Sequence, residues 1–365
     1  HRGRMSAFRN TIAHIDLDAI RANYTLACDT APGSQAIPAI KAEAYGHGML
    51  AVARALDDLA PMLAVATVDE AMQLRNADID KAILVLEGAT SEASFDAAEQ
   101  QRLALVVQSR EQVAMSRQRN LDLWLKVDTG MHRLGLDPGA VQEVLDELGR
   151  ERVRVVCTHL ACADDPGSKA TAQQLAVFED CTADLELPRS IANSAGILAW
   201  PDSHTEYNRP GIMLYGASPF APGAGIEAPL KPAMRFVSEV IAVRDVASGE
   251  SVGYGARWTA AQPARVATVA AGYADGYPRH APNGTPVAVD GSVVPLAGTV
   301  SMDMLTVDVS TLPDVQVGTP VELWGETVPV TEVARQAGTI SYELLTGVSA
   351  RVPRRYTGIR AGRDR

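Results

Sequence analysis

Ile37-Pro-Ala-Ile-Lys-Ala-Glu-Ala-Tyr-Gly-His-Gly48 is the stretch from which the rest of the chain is best read. Its first half is an apolar run that ends on Lys41, and its second half is a glycine-punctuated turn carrying Tyr45. A lysine at the end of a buried strand loses water, which lowers its pKa and frees an amine for Schiff-base chemistry. On position alone, a lysine that simply follows a strand into solvent is the commoner case. The neighbours favour chemistry: Tyr45 offers a hydroxyl donor, and Gly46 and Gly48 allow backbone N–H groups to approach an anion. An amine beside an anion site points to a phosphorylated aldehyde.

Working outward, short β-branched runs alternate with helical patterns from Thr11 onward, the signature of parallel strands joined by crossover helices. The strand candidates are 37–41, 62–66, 82–86, 103–107, 121–127, 153–159, 189–192 and 211–215. Eight such units imply a closed (β/α)8 barrel of the TIM type, an α/β architecture, rather than an open sheet. Helices are expected at 49–59, at 68–75 behind the capping box Thr67-x-x-Glu70, at 138–148 and at 170–185, with an additional one at 19–28 before the first strand. The pattern breaks in the Pro/Gly-rich stretch 220–232. Beyond it the apolar period changes to two, as in 300–309, with turns at Asn283-Gly284 and Asp290-Gly291. The expected division is therefore a barrel over 11–233 and a mainly β C-terminal domain over 234–365, with residues 5–10 pairing with the latter; the leader 1–4 is left out of the fold reasoning.

Composition narrows the function. The 365 residues are 47% hydrophobic and 21% charged, ordinary for a globular protein with ample core, and the formal net charge of −11 disfavours nucleic acid or an anionic membrane as partner. No apolar run reaches membrane-spanning length and no signal-peptide core is visible, so a cytoplasmic protein with a small-molecule ligand is expected. The four cysteines, Cys28, Cys157, Cys162 and Cys181, suit neither a zinc site nor a disulfide framework, and no metal-binding cluster is apparent.

In a barrel of this kind chemistry gathers at the C-terminal ends of the strands, with phosphate held after strands seven and eight. Lys41 ends the first predicted strand, Lys126 the fifth and His159 the sixth, Asn193-Ser194 follow the seventh, and Arg209, Gly211 and Ile212 flank the eighth. Ser194 opens a helix candidate, so its hydroxyl and the neighbouring amides suit a phosphate; an ordinary N-cap is the competing reading. Taken singly, His159 as a structural histidine or Arg133 as a surface arginine is no less natural.

Together these segments resemble the fold-type III, PLP-dependent alanine racemase family. The resemblance rests on Lys41-Ala-Glu-Ala-Tyr-Gly-His-Gly48, Lys126-Val-Asp-Thr-Gly-Met-His-Arg-Leu-Gly135, Ala192-Asn-Ser-Ala195, Asn208-Arg-Pro-Gly-Ile-Met-Leu-Tyr-Gly216, Gly253-Tyr-Gly255, Gly272-Tyr-Ala-Asp-Gly276 and Ser301-Met-Asp303, in order over 13–356. It implies pyridoxal 5'-phosphate carried as a Schiff base on Lys41. The phosphate ligands it implies are Tyr45, Ser194, Gly211, Ile212 and Tyr356, with Asn193 also at the cofactor. Arg209 would face the pyridine nitrogen, and, being unable to give up a proton there, would leave the ring largely unprotonated and restrain side reactions. His159 would stand behind Arg209 and orient the catalytic tyrosine. Arg133 would hold the substrate carboxylate, braced by Lys126, a position often carbamylated in the family.

The resemblance further implies interconversion of L- and D-alanine through an external aldimine with one base on each face: Lys41 for the D face and Tyr254 for the L face. Tyr254, Tyr273, Met302 and Asp303 would reach the site from the β domain of a second subunit, making a homodimer with shared sites. The chain departs from the family pattern at Glu43 and at Ala350 in Ser349-Ala-Arg-Val-Pro-Arg354. A small residue at 350 removes a wall near the substrate methyl, so serine or another small amino acid competes as substrate. Other classes weighed are a non-enzymatic PLP-carrier protein, which lacks a β domain, and a barrel-type decarboxylase or D-amino-acid aldolase.

Overall fold

The structure is a computed structural model that describes residues 9–221 and 223–358. The expectations for residues 5–8, and for the end of the C-terminal domain at 359–365, fall outside the described residues. The chain divides into two compact units: one comprises the segment up to Ala19, Tyr45–Gly48 and everything from Lys231, the other Ile20–Ala44 and Met49–Leu230.

The second unit is the barrel. Its strands are Gln35–Ala36, Met62–Val65, Ala82–Val85, Ala104–Val107, Asp122–Lys126, Val153–Cys157, Arg189–Ser190 and Tyr207–Asn208, each parallel to its neighbours from the second round to the eighth and then the first. The ring closes where Ala39 bridges Ala64 in parallel. Ile40 N donates to Ala64 O at 2.8 Å, and Ala64 N donates to Pro38 O at 2.9 Å. The first strand is short because Pro38 lacks an N–H for the ladder, yet the chain stays wedged between its neighbours as far as Ile40. Ile37, Ala64, Leu84, Ala104, Val106, Trp124, Val155 and Cys157 form one buried cluster, with Tyr207 packed against it. Such inward-facing side chains make the lumen a packed core rather than a pore.

Three expectations need correction here. The first strand is Gln35–Ala36, and of the expected run 37–41 only Ala39 bridges a neighbouring strand, so Lys41 stands just past the strand in the turn that follows. The eighth strand is Tyr207–Asn208, and 211–215 is instead a 3-10 helix, Ile212–Tyr215. Pro210 interrupts the ladder directly after Arg209, and the run that looked like a β-branched strand turns over the barrel rim. The Thr67–Glu70 capping box is half formed: Glu70 N donates to Thr67 Oγ1 at 3.3 Å, but the Glu70 carboxylate accepts from Ala42 and Ala66.

The other unit is built on the long strand Met234–Val246, which pairs antiparallel with Ile12–Asp16, Ala264–Val269 and Pro320–Trp324. Ile12–Asp16 also pairs in parallel with Arg354–Thr357. Residues 12–16 therefore belong to the β-rich sheet and not to the barrel whose start was read at residue 11. Their alternating pattern fits a strand, and only partner choice, which is a long-range property, was missing. Asn10 joins the same unit by donating to Glu239 at 2.8 Å. Two helices, Val330–Ala337 and Ser341–Gly347, complete it. The core is aromatic, with Trp324 set 4.7 Å from Phe236 and 6.2 Å from Tyr277 between ring centroids.

Candidate active site

Side chains two residues apart on a strand share a face, so the inward positions Trp124, Cys157 and Tyr207 send Lys126, His159 and Arg209 into the lumen one layer higher. Arg209 is buried there with neutral partners. It donates to Thr158 O at 2.6 Å and Ile191 O at 3.2 Å, to the Ser190 hydroxyl, and to His159 Nδ1 at a long 3.5 Å. Burial lowers its pKa, but a guanidinium in this setting keeps its charge. Because Arg209 can only donate, His159 Nδ1 accepts, and the neutral ring carries its proton on Nε2. Burial first, and then Arg209, Lys126, Arg133 and Lys41, hold His159 well below the usual histidine range.

The same cations act on one another. Lys41 is lowered by burial and then by Arg133, against Glu87 and Glu70. Lys126 is lowered chiefly by burial, with Arg209, Arg133 and Lys41 adding to it. A mouth that gathers Lys41, Lys126, Arg133 and Arg209 carries more positive charge than Glu70 and Glu87 balance. It suits a dianionic phosphate and a carboxylate.

Arg133 stands exposed in a loop folded back on the fifth strand, where Leu136 N donates to Lys126 O and Asp128 N to Leu136 O, both at 2.9 Å. Gly135 is required: a Cβ there would lie 2.5 Å from Asp128 N. Burial opposes ionisation of Asp128, yet the amides of His132 and Gly130 keep its pKa low, which locks the turn preceding Arg133.

Asn193, not Ser194, caps the helix Ser194–Ala199, its Oδ1 accepting from Gly196 N at 3.0 Å. This frees the buried Ser194 hydroxyl to accept from Gly211 N at 2.8 Å and Met213 N at 3.3 Å. The sequence-predicted residues Asn193, Ser194, Gly211 and Ile212 thus form one knot at the rim after strands seven and eight.

In the β-rich unit, Tyr45 is buried, stacks at a tilt on Tyr342 with 5.9 Å between centroids, and has its hydroxyl pushed up to about 12 by burial, so it remains a donor at neutral pH. The glycines after it answer to packing as much as to any ligand. A Cβ on Gly46 would lie 2.1 Å from Leu345 O, and one on Gly48 would lie 2.0 Å from the Tyr356 hydroxyl. Tyr254 is 68% exposed and Met302 54%. The Tyr273 and Met302 segments are joined by Tyr273 N to Ser301 O at 3.0 Å and Ala274 N to Met302 O at 2.9 Å. Beneath them lies Asp275, fully buried, which accepts from Arg9 at 2.6 and 2.8 Å, Arg351 at 2.7 Å and Gly272 N at 2.8 Å. Arg351 also reaches Asp303 at 2.7 Å.

Comparison with known proteins agrees with this geometry. Residues 15–219 match the family described as alanine racemase, N-terminal domain, and residues 233–356 match alanine racemase, C-terminal domain. The chain belongs to the alanine racemase family. Alanine racemase from Chromohalobacter salexigens is 48% identical over 97% of this chain and 100% of its own length. The crystal structure of biosynthetic alanine racemase from Pseudomonas aeruginosa matches 96% of this chain and 100% of its own, with a TM-score of 0.92 and 49% identity. A structure of alanine racemase from Bartonella henselae with covalently bound pyridoxal phosphate covers 95% and 99%, with a TM-score of 0.87 and 31% identity.

Within this alanine racemase fold, several residues around the site escaped the sequence reading. Gln174 ties the mouth loops together, donating to His159 O at 3.0 Å and Thr129 Oγ1 at 3.2 Å while accepting from Ala161 N at 2.8 Å. Glu70 and Glu87, which face Lys41, and the Arg9–Asp275–Arg351 cluster were also missed. Glu70 did stand out in the sequence, but as a local cap.

Proposed function

We propose that this chain uses pyridoxal 5'-phosphate to interconvert L- and D-alanine, with Lys41 and Tyr254 as the two bases. The observation that carries the reading is the burial of the Lys41 amine among Arg133, Lys126, His159 and Arg209 at the C-terminal mouth of a closed parallel barrel. When bound, the cofactor supplies an electron sink that acidifies the α C–H bond of an attached amino acid. Ser194, Asn193, Gly211 and Ile212 would hold its phosphate end from the barrel, and the resemblance adds Tyr45 and Tyr356. Arg209 would stand toward its ring nitrogen without a proton to give.

Lys41 Nζ moves the proton on the D face and Tyr254 Oη on the L face. Lowering the lysine pKa leaves more free amine to accept a proton near neutrality. His159, with its proton on Nε2, suits donation to a tyrosine oxygen and so would orient Tyr254. Arg133 holds the substrate carboxylate, with Lys126 behind it as a candidate for carbamylation, which would exchange one of the crowded cations for an anion. The strong exposure of Tyr254 and Met302, with Tyr273 and Met304 also exposed, supports their insertion into a second copy of the chain, and Asp303 would travel with them. A homodimer with two shared sites follows.

No helix among the described residues is long and apolar enough to cross a membrane. The proposed location is the cytoplasm, in keeping with four free cysteines. The second domain match covers the part that a PLP-carrier protein lacks. Serine is a second substrate on the evidence of the small, exposed Ala350. The test supplies cofactor and single enantiomers of a small amino-acid panel and follows both enantiomers by chiral chromatography. Racemisation of alanine without release of ammonia or CO₂ supports the reading; no racemisation, or a serine rate equal to or above that of alanine, contradicts it.

A further inference from the structure

Lys41 opens one of the least relaxed backbone segments in the chain. Ala42, Glu43, Ala44 and Tyr45 follow it with φ of 51°, 54°, 52° and 53°, four consecutive non-glycine residues in the left-handed region. Such a turn costs about 1–2 kcal/mol per residue and persists only where its surroundings hold it. The surroundings here are specific. Glu70 Oε1 accepts from Ala42 N, the first left-handed residue, at 2.7 Å, while Oε2 accepts from Ala66 N, just past the second strand, also at 2.7 Å. One carboxylate therefore pins the start of the turn to the seam where the barrel closes. Within the turn, Glu43 accepts from Met49 N at 3.1 Å.

We infer that Glu70 is a positioning residue for Lys41: its carboxylate clamps the left-handed turn and so fixes where the lysine amine stands at the barrel mouth. The inference rests on the proposed role of Lys41 but is tested apart from it. Its charge also acts on the amine, raising the lysine pKa against burial and Arg133. A glutamine at this position keeps the shape but turns an NH₂ toward one of the two amides and removes the charge. An aspartate keeps the charge but is too short to span both amides.

The experiment uses full-length protein, wild type and the variants Glu70→Gln and Glu70→Asp, each shown to be folded by its thermal transition. In cofactor-free protein, the rate at which an amine-selective acylating reagent modifies Lys41 is read by peptide mass spectrometry across pH. In cofactor-loaded protein, kcat and KM for alanine are measured. Glu70→Gln is expected to shift the Lys41 labelling midpoint to lower pH, giving several-fold faster labelling near neutrality, and to lower kcat at least tenfold with a smaller change in KM. Glu70→Asp is expected to keep the labelling midpoint near wild type yet lose kcat. A Glu70→Gln protein with wild-type labelling or wild-type kcat, or a Glu70→Asp protein with full kcat, overturns the inference. The labelling arm contains no cofactor, so its outcome does not depend on whether the enzyme racemises alanine.

Discussion

Replacing Asp275 with asparagine tests how the Tyr273 and Asp303 segments are held. The carboxylate is fully buried and receives two bonds from Arg9, one from Arg351 and one from Gly272 N. Asparagine preserves the shape but sets an NH₂ against donors and removes the charge that both guanidiniums face. Hydrogen bonds to charged groups contribute about 1.5–3 kcal/mol each, but Arg9 and Arg351 are themselves partly solvated, which reduces the loss to about 2–4 kcal/mol in total. The expected fall in Tm is about 3–5 °C for a chain of this length. The pH dependence gives an independent check. Although burial alone would raise it, the bonds from Arg9, Arg351 and Gly272 hold the Asp275 pKa below the usual carboxylate value. A depressed folded-state pKa contributes stability that is fully present above the unfolded value, about 3.9, and is lost as pH falls through the folded value. Below about pH 4, wild type should therefore lose stability more steeply than Asp275→Asn. The assay is equilibrium urea unfolding from pH 3 to pH 7. A change under about 0.5 kcal/mol at pH 7, or parallel acid slopes, would refute the reasoning.

Other outcomes follow from the same structure. His159 should stay neutral with its proton on Nε2, so ¹⁵N imidazole shifts should show no titration between about pH 5.5 and 8; a midpoint near the ordinary 6.5 would contradict the assignment. Gly48→Ala should weaken retention of pyridoxal phosphate and lower Tm, because its φ of 95° is strained for alanine and its Cβ meets the Tyr356 hydroxyl. Adding Tyr356→Phe should restore part of the lost Tm, and strictly additive losses would show that the clash is not the cause. Tyr254→Phe should keep the visible cofactor absorbance but slow α-proton exchange of L-alanine far more than that of D-alanine; equal slowing would count against two bases.

The barrel was legible because parallel strands write themselves as local apolar runs, and six of the eight fell where the pattern placed them, while the first came out as Gln35–Ala36, just ahead of the expected 37–41. The eighth was misplaced by a few residues because Ile212-Met-Leu-Tyr215 has strand-like composition, while the true strand, Tyr207–Asn208, is only two residues long. Ile12–Asp16 shows why domain membership was harder to read. A strand pattern does not name its partner, and this one pairs with residues more than 200 positions away. At the site, Lys41, His159 and Arg209 could be found from strand ends and motif order. Glu70 was misassigned because a capping box is read within four residues, whereas its carboxylate serves Ala42, 28 residues back. The left-handed turn itself was hidden by composition, since Ala-Glu-Ala is a favourable right-handed helix sequence.

The central claim is that Lys41 of one chain works with Tyr254 of another, and mixing two inactive variants tests it most directly. Lys41→Ala and Tyr254→Phe proteins are co-expressed with different tags, and doubly tagged dimers are isolated and assayed for racemisation of L-alanine. Each such hybrid contains one site with both native bases, so random mixing should restore about one quarter of wild-type activity before purification and about half in the isolated hybrid. Activity that stays at the level of the parent variants would place both bases in a single chain and contradict the account.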